Sequence, residues 1–594
     1  MPVQKLSSLA LLILSLLLRS DLGADISPNV PLEHWGYGFL ERFEARGFFS
    51  GLGDGIKPFS RLEMARALNA VAAAVEEGGE LTRVDGERLR RLQEEFGKEC
   101  RTLAGEESKR EGEVAVRKGL GSHQPLFRYE HEQGELQADL SFRQQTDSFS
   151  GRGREQTEQI FRTRLGGEIR GNIREGVGYF ISFEQTREQG SRTYILRDDV
   201  FERRIEVPQL KGNLADYHEG KAYLNFSLPF VDVEFGKDQV AWGPGPVDNL
   251  GLSGNAPSFD MLRLRARYGA FKLVSIAGAL RPCPDRPDSP LCGNTADLER
   301  SYIVNHMSRT LEPEKYLAAH RLEVALATWI DVGFQEVVVY GDRGLEVTYL
   351  NPVMFYWAAQ SYLGDKDNLM MGLDLDIHPG NGLRFYLAYV VDDLKKLKIL
   401  SDDFANKFSF QSGFLWVDPL GLRDVDLRGE YVRIEPWIYT HKFPINTFRH
   451  FDGPLGHALG PNSDRWQLSA THRLRAGLGL HGGVSRTRHG DNVLLEDGSI
   501  RNIGGDLHLG WRPGDERESK KFLAGKVSRW TRAEVGVELQ IGTKWHLEMG
   551  WAHEWGDDVP LPPRWGANVA LENRTGYGDG NQREFHFDLR YNYF

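Results

Sequence analysis

Aromatic and amide side chains gather in two stretches of this chain, and neither stretch keeps a regular period. The first, residues 235–264, holds Trp242, Asn249 and Asn255 among glycines and prolines. The second, residues 337–377, holds Tyr349, Asn351, Phe355, Tyr356, Trp357 and Asn368. Indoles and phenols stack on apolar CH faces, and amides satisfy hydroxyls, so these are the residue types a sugar site wants. The same residues have plainer uses. Trp242 and Tyr356 would fit an interfacial aromatic girdle, and the Asn351-Pro352 step would fit a loop folded inwards. Arginines also recur at alternate positions, as Arg162 and Arg164, then Arg263, Arg265 and Arg267. They could attract an acidic polymer. Pairing with Asp139, Glu184 and Glu234 in ladders of charge is the favoured reading.

Catalysis finds less footing. The chain has no His-Glu-x-x-His zinc helix, no phosphate loop and no nucleophile elbow. His320, His378, His472, His508, His546 and His586 fall on or near strands without a defensible Ser or Asp partner pattern, so the expectation is no enzyme, cofactor or metal. Cys283 and Cys292 bracket a Pro- and Asp-rich segment and read as a disulfide-closed loop in an exported protein. Cys100 is left over, an inert thiol on a predicted helix.

The elements that must position these residues are strands. From about residue 127 the sequence alternates with period two. Leu136, Ala138, Leu140 and Phe142 alternate with Gln137, Asp139, Ser141 and Arg143, and Val535, Val537 and Leu539 alternate with Glu534, Gly536 and Glu538. One such strand fits any half-buried sheet. A long series without intervening helices means one large closed antiparallel sheet. Aromatic residues at strand ends favour a barrel over a sandwich, as does a last strand, residues 585–594, that alternates cleanly. That strand resembles the signal read by the barrel assembly machinery of the Gram-negative outer membrane, although Phe594 is out of phase. The mean hydropathy of -0.44 and the lack of any later apolar run of helical-span length exclude membrane helices, and the net charge of -11 argues against nucleic acid as a partner.

The N-terminus differs. Lys5, an apolar run over residues 6–18 and Leu22-Gly23-Ala24 before Asp25 read as a cleaved signal peptide, residues 1–24. Residues 25–80 then carry helical periodicity: one helix over 31–46 with Trp35, Phe39 and Phe43, ended by Gly47, and a second capped by Ser60 with Glu63 at its third position. A charged third helix over 85–103 and a polar linker fill residues 81–125, leaving 126–594 for the barrel.

Two resemblances give these regions a setting. His34-Trp35, Gly47, Asp54-Gly55 and Ser60-Arg61-Leu62-Glu63 resemble a surface-layer-homology (SLH) repeat, with Leu62 a departure from the pattern. The resemblance implies that Trp35, Asp54, Arg61 and Glu63 bind peptidoglycan or a wall-linked polymer in the periplasm. The alternative is a helical plug in which Trp35 is core. Trp242-Gly243-Pro244-Gly245, Ser253 to Pro257, Tyr349-Leu350-Asn351-Pro352 and Asp367-Asn368 together resemble the Wzi-type capsule assembly family. That implies a mainly β outer-membrane barrel of about eighteen strands, lectin-like, anchoring capsular or exported polysaccharide at the surface. Trp242, Asn249, Asn255, Tyr349, Asn351, Tyr356, Trp357, Asn368, Arg263 and Arg265 are then the candidate glycan contacts. An SLH-bearing porin for small solutes or sugars is the competing expectation.

Overall fold

The computed structural model describes residues 27–592 except 52–54, 106–112, 117–124, 132–133, 153, 155, 174–175, 192–208, 247, 283–299, 305–306, 312, 394–400, 452, 543 and 561–576. The expected signal segment, Asp54, the Cys283 and Cys292 pair and Phe594 lie outside the described residues. Eighteen antiparallel strands close into one barrel. In chain order they are β1 (Gly134–Gly151), β2 (Glu158–Ile173), β3 (Val177–Gly190), β4 (Leu214–Leu228), β5 (Val231–Asp238), β6 (Phe259–Tyr268), β7 (Phe271–Leu280), β8 (Lys315–Ala327) and β9 (Ile330–Gly341), then β10 (Asn368–Gly380), β11 (Leu383–Asp393), β12 (Lys407–Val417), β13 (Val425–Ile434), β14 (Ser463–Arg475), β15 (Leu478–Asp491), β16 (Lys526–Ile541), β17 (Trp545–Pro560) and β18 (Tyr577–Tyr591). The last strand returns to the first, with Tyr591 opposite Phe142 and Gln582 opposite Gly151. The start of β1 pairs instead with a short strand, Phe127–His131, which pairs with Glu113–Val116. The polar segment expected as a linker thus contributes a strand.

The alternation is inverted relative to a soluble sheet. Leu140, Leu165 and Phe183 stand exposed on the outer face, while Arg143, Asp147, Arg162, Glu188 and Asp588 are buried on the inner one. An outer wall of bare apolar residues is what lipid stabilises and water does not. Inside, each charge meets its opposite across neighbouring strands: Arg162 lies 2.9 Å from both Asp147 and Glu188, and Arg143 lies 2.7 Å from Asp588. Ladders form as expected, but with partly different partners: Arg263 meets the expected Glu234 at 2.5 Å and Arg164 the expected Glu184 at 3.8 Å, while Arg162 takes Asp147 and Glu188 and Asp139 is taken by Lys544.

The two ends differ in their connections. Residues 229–230, 269–270, 328–329, 381–382 and 476–477 are tight turns at one end, and the segments 239–258, 342–367, 435–462 and 492–525 are long loops at the other. Four helices close the short-turn end: α1 (Gly36–Ala45), α2 (Arg61–Glu76), α3 (Arg83–Glu95) and α4 (Gly97–Leu103). Ser60 and Glu63 form the expected capping box at the start of α2. The helix expected over 85–103 is broken at Phe96, whose φ of -97° and ψ of 18° leave the helical region. Phe96 turns inward there and joins Phe39, Phe43, Leu68 and Leu92 in a single small core, so the charged helix is part of the plug and not a spacer. The first helix begins at Gly36, later than the expected 31.

The plug docks by charge. Arg42 on α1 lies 2.5 Å from Asp426 of β13, 2.8 Å from Asp418 and 3.0 Å from Asp85 of its own domain. Glu41 lies 2.7 Å from Arg428 and 3.2 Å from Arg384, and Glu63 lies 3.1 Å from Lys272 of β7. Removing one partner of such a buried pair is costly because the other is stranded. Burial by itself would raise the Glu41 carboxyl, but Arg428, Arg384 and Lys57 hold it down to about 2. Lys272 and Arg265 likewise overcome burial at Glu63 and hold it at about 2. The docked values lie below the ordinary 4.5, so the carboxylates stabilise docking fully above that pH and lose their contribution as the pH falls towards 2. Hydrogen exchange over residues 27–105 should therefore rise across that window while the barrel strands stay protected. Unchanged protection of the helices at pH 2 would show that the ion pairs do not hold them.

Candidate functional site

The first irregular segment, residues 239–258, leaves β5 at the long-loop end and folds into the lumen. Two glycines allow it. Gly243 has φ +136° and Gly254 φ +78°, and at Gly243 a side chain would meet the Asn249 amide at 2.5 Å. The segment reaches so far down that Ala241–Trp242 pairs with Ile56–Lys57 of the plug, Ile56 opposite Trp242. Trp242 is 0% exposed and packs with Leu250, Leu252, Val274, Val337 and Ile438. This apolar core fills the lumen against the inner faces of β6 to β13. Residues 435–462 complete it from above, with Tyr439 donating to the Leu250 carbonyl at 2.7 Å and Ser253 to the Gly456 carbonyl at 2.7 Å.

Beside this core lies a chamber of about 420 Å³. Glu33, Tyr37 and Lys57 of the plug form one side, Glu168, Glu184, Glu219 and Lys221 of the strands another, and Gln239, Asn249, Ser253 and Asn255 of the folded-in segment the third. Asn249 accepts from the Gly245 amide at 2.8 Å, and Asn255 donates to Asp248 at 2.8 Å and to the Gly456 carbonyl at 3.2 Å. Both amides are therefore held in place by local bonds while lining the chamber. Such a lining, hydrogen-bonding groups interspersed with the rings of Tyr37 and Phe180 and other apolar surface, suits a polyhydroxylated ligand with apolar CH faces.

The sequence-predicted residues divide into three groups. Asn249 and Asn255 line the chamber, and Trp242 lies behind it as core. Arg263 lies 2.5 Å from Glu234 with both groups buried, and Arg265 donates to Asn29 of the plug at 3.5 Å. The two arginines are thus engaged by the wall and by the plug, Arg263 through Glu234 and Arg265 through Asn29. Asn368 faces inward and donates to the Asn446 carbonyl at 2.9 Å. Tyr349, Asn351, Tyr356 and Trp357 lie outside the barrel, where residues 345–362 pack on the outer wall. The barrel wall separates them from Trp242, so the two irregular segments do not form one site.

The wall-binding set is also redirected. Arg61 lies 2.6 Å from Glu99, donates to the Glu95 carbonyl at 2.8 Å and stacks on Phe96. Its fork is closed on the plug's own carboxylates. Glu63 is engaged by the Ser60 amide and Lys272, and Trp35 is half-buried against Phe39 with Arg88 over its ring. Cys100 sits half-buried on α4, where burial pushes its thiol up to about 11. Sequence reasoning passed over Glu168, Glu219, Lys221 and Gln239. The strand residues among them sit at inward parity, which was legible. Which inward positions the folded-in segment leaves open was not. Among the described residues, Glu44 of α1 with Asp331 and His378 of the wall bring donor atoms within 4.8 Å of one another, a spacing that could hold a metal ion.

The sequence pattern of the family described as capsule assembly protein Wzi matches residues 175–559. A solved structure, Wzi from Escherichia coli, has 12% identity over 95% of this chain and 99% of its own, with a TM-score of 0.53. It is described as an outer-membrane protein involved in group 1 capsule assembly and a carbohydrate-binding β-barrel. OprD of Pseudomonas aeruginosa, at 12% identity over 77% of this chain and 93% of its own, reaches a TM-score of 0.40. OccAB4 of Acinetobacter baumannii, at 9% over 77% and 97%, reaches 0.41. The last two superpose too loosely to bear on this chain. A search of curated proteins finds no match.

Because Trp242 is wholly buried, its role is expected to be structural. Trp242→Ala should cost about 3–5 kcal/mol of packing and make residues 239–258 accessible to protease before the strands unfold. An unchanged melting profile and unchanged protease resistance would refute this.

Proposed function

The chain belongs to the Wzi capsule assembly family, and we propose that it is an outer-membrane lectin that holds capsular or exported polysaccharide at the cell surface. The observation that carries this reading is the filled lumen. Helices close one end, and residues 239–258 and 435–462 pack into an apolar core towards the other. A pore for solutes needs a wetted path through the barrel, and an apolar core spanning half the wall works against one. What is left is a chamber of ligand size lined by hydrogen-bonding and apolar groups together, a binding arrangement with no translocation in it.

Orientation follows from barrel anatomy. Short turns face the periplasm in outer-membrane barrels and long loops face outward. The helical body, which closes the short-turn end, is therefore read as periplasmic, and the long loops as the glycan-facing end. With Arg61 closed on Glu99, we read that body as a plug that locks the barrel. Holding a polymer needs neither a nucleophile nor a general base, and the role assigned here is non-enzymatic. Asn249 and Asn255 are the proposed contacts, with Lys57 and Lys221 supplying cationic donors to sugar hydroxyls or acidic substituents.

Deleting the gene should shift polysaccharide from the cell surface into the medium while total synthesis stays the same. In planar bilayers the purified protein should show no stable open conductance. Arrested synthesis, an unchanged surface layer, or a wide steady conductance would each overturn the proposal.

A further inference from the structure

The outer wall over β8 to β10 is covered by protein. Residues 342–367 leave β9 at the long-loop end and fold back down the outside. Parity along β9 shows which side this is. Val337 and Val339 belong to the lumen core, so Ile330, Val332, Phe334, Glu336, Val338 and Tyr340 point outward. The upper three of these are nonetheless buried. A second cluster explains it: Tyr349, Tyr356 and Ala359 pack on Ala318, Val338, Tyr340 and Leu369. The last two of the covering residues, Tyr356 and Ala359, lie in a short helix, α5 (Tyr356–Tyr362).

Glu336 seats this cover. Its carboxylate accepts from the amides of Tyr356 at 2.9 Å and Trp357 at 3.2 Å, and lies 2.9 Å from His320 of β8. Several of the other polar groups also close on the segment or its flank. Tyr356 donates to the Tyr349 carbonyl, Gln360 to the Asp367 carbonyl and Ser361 to the Trp357 carbonyl. Internal satisfaction of this kind is what a hydrocarbon setting demands of irregular backbone.

The far side of the cover is bare and largely apolar, with Asn351 and Ser361 the polar residues exposed on it. Val347, Val353 and Tyr362 are 75%, 78% and 88% exposed, and Leu345, Phe355 and Trp357 are also exposed. Residues 347–364 contain no charged side chain in a chain that is 26% charged, while Glu346, Asp365 and Lys366 flank the stretch. Its depth can be read from the uncovered wall. On β2 the outward apolar residues run from Phe161 to Ile173 at the short-turn end. That is about 40 Å of strand, or about 30 Å of height at the usual tilt, the thickness of the hydrocarbon layer. The same count from Ile330 passes Tyr340, so the covered positions lie inside the lipid band and continue it.

We propose that residues 347–362 form an apolar paddle embedded in the leaflet nearer the long loops, where they replace lipid against β8 to β10 and face acyl chains themselves. The occupant of the bare face is lipid, because that face is continuous with the lipid-facing wall around it. The proposal rests on the barrel lying in a membrane and not on the polysaccharide reading.

The test uses the full chain reconstituted in phosphatidylcholine vesicles, with the emission of a W357F variant subtracted to isolate Trp357. Acyl chains brominated near the carboxyl end should remove most of the Trp357 emission, and aqueous iodide should leave it intact. Quenching by iodide alone would place the paddle in water and overturn the proposal. Resistance to both quenchers would put another protein copy on the face and overturn it equally. If W357F fails to assemble, a nitroxide attached at Val353→Cys should collide with oxygen more than with a water-soluble nickel chelate, and the reverse order would overturn the proposal.

Discussion

Lipid on the outside forces charge to the inside, and most of this structure is a response to that constraint. A closed ring of strands has two faces, and the outer one must be apolar. Nearly every polar strand residue therefore points into a lumen where water is scarce and an unpaired charge is expensive. The ladders Asp147–Arg162–Glu188 and Arg143–Asp588–Arg590 satisfy some of these groups from wall to wall. Asp426, Arg428 and Lys272 are satisfied by the plug, through Arg42, Glu41 and Glu63. The helical domain thus docks with a face that would be solvent-exposed on an ordinary amphipathic bundle, and its apolar residues go to its own small core.

The lumen is uneven, and the unevenness creates the chamber. Inner positions of β6 to β13 towards the long-loop end are aliphatic, among them Val274, Ile276, Val337 and Val339. Left bare they would be wet apolar surface, so residues 239–258 and 435–462 fold in and cover them. The inner wall of β2 to β4 is polar at Glu168, Glu184, Glu219 and Lys221 and attracts no such cover. The space between the covered and uncovered walls is where Asn249 and Asn255 stand. A ligand-sized space of mixed lining is thus the residue of two packing solutions meeting inside one barrel.

How much of this the sequence showed depends on the element. Strand parity made the barrel, its inverted faces and the inward arginines legible, because a period of two assigns each residue to a side, while the partners of Arg162 depend on strand register and were not. Irregular segments carry no parity. Trp242 and Tyr349 are both aromatic, both lie near a proline and both carry the family resemblance, yet one is lumen core and the other lies outside the wall. Nothing local distinguishes a loop that turns in from one that turns out. Arg61 matched a motif whose charge was expected to face a polymer, and only the position of Glu99 on a later helix shows that it faces home. The break at Phe96 was hidden similarly, since the charged pattern over 85–103 is continuous and the aromatic leaves it only to join a core built by other helices.

One outward position did carry a signal. On β2 the outward residues Phe161, Thr163, Leu165, Gly167, Ile169, Gly171 and Ile173 include no charge. On β9 the outward series contains Glu336, and on β8 the facing position holds His320. A carboxylate pointing at lipid is too costly to stand uncovered. Its presence at an outward parity position therefore requires a cover, supplied here by the amides of Tyr356 and Trp357. His320 offered no catalytic partner by spacing, and the pairing with Glu336 explains its presence without one. The same reasoning that assigns inward charges to ladders and plug assigns this outward pair to a segment that must lie against the wall. Inside and outside the barrel, the placement of covering chain follows from where the strands have left a charge.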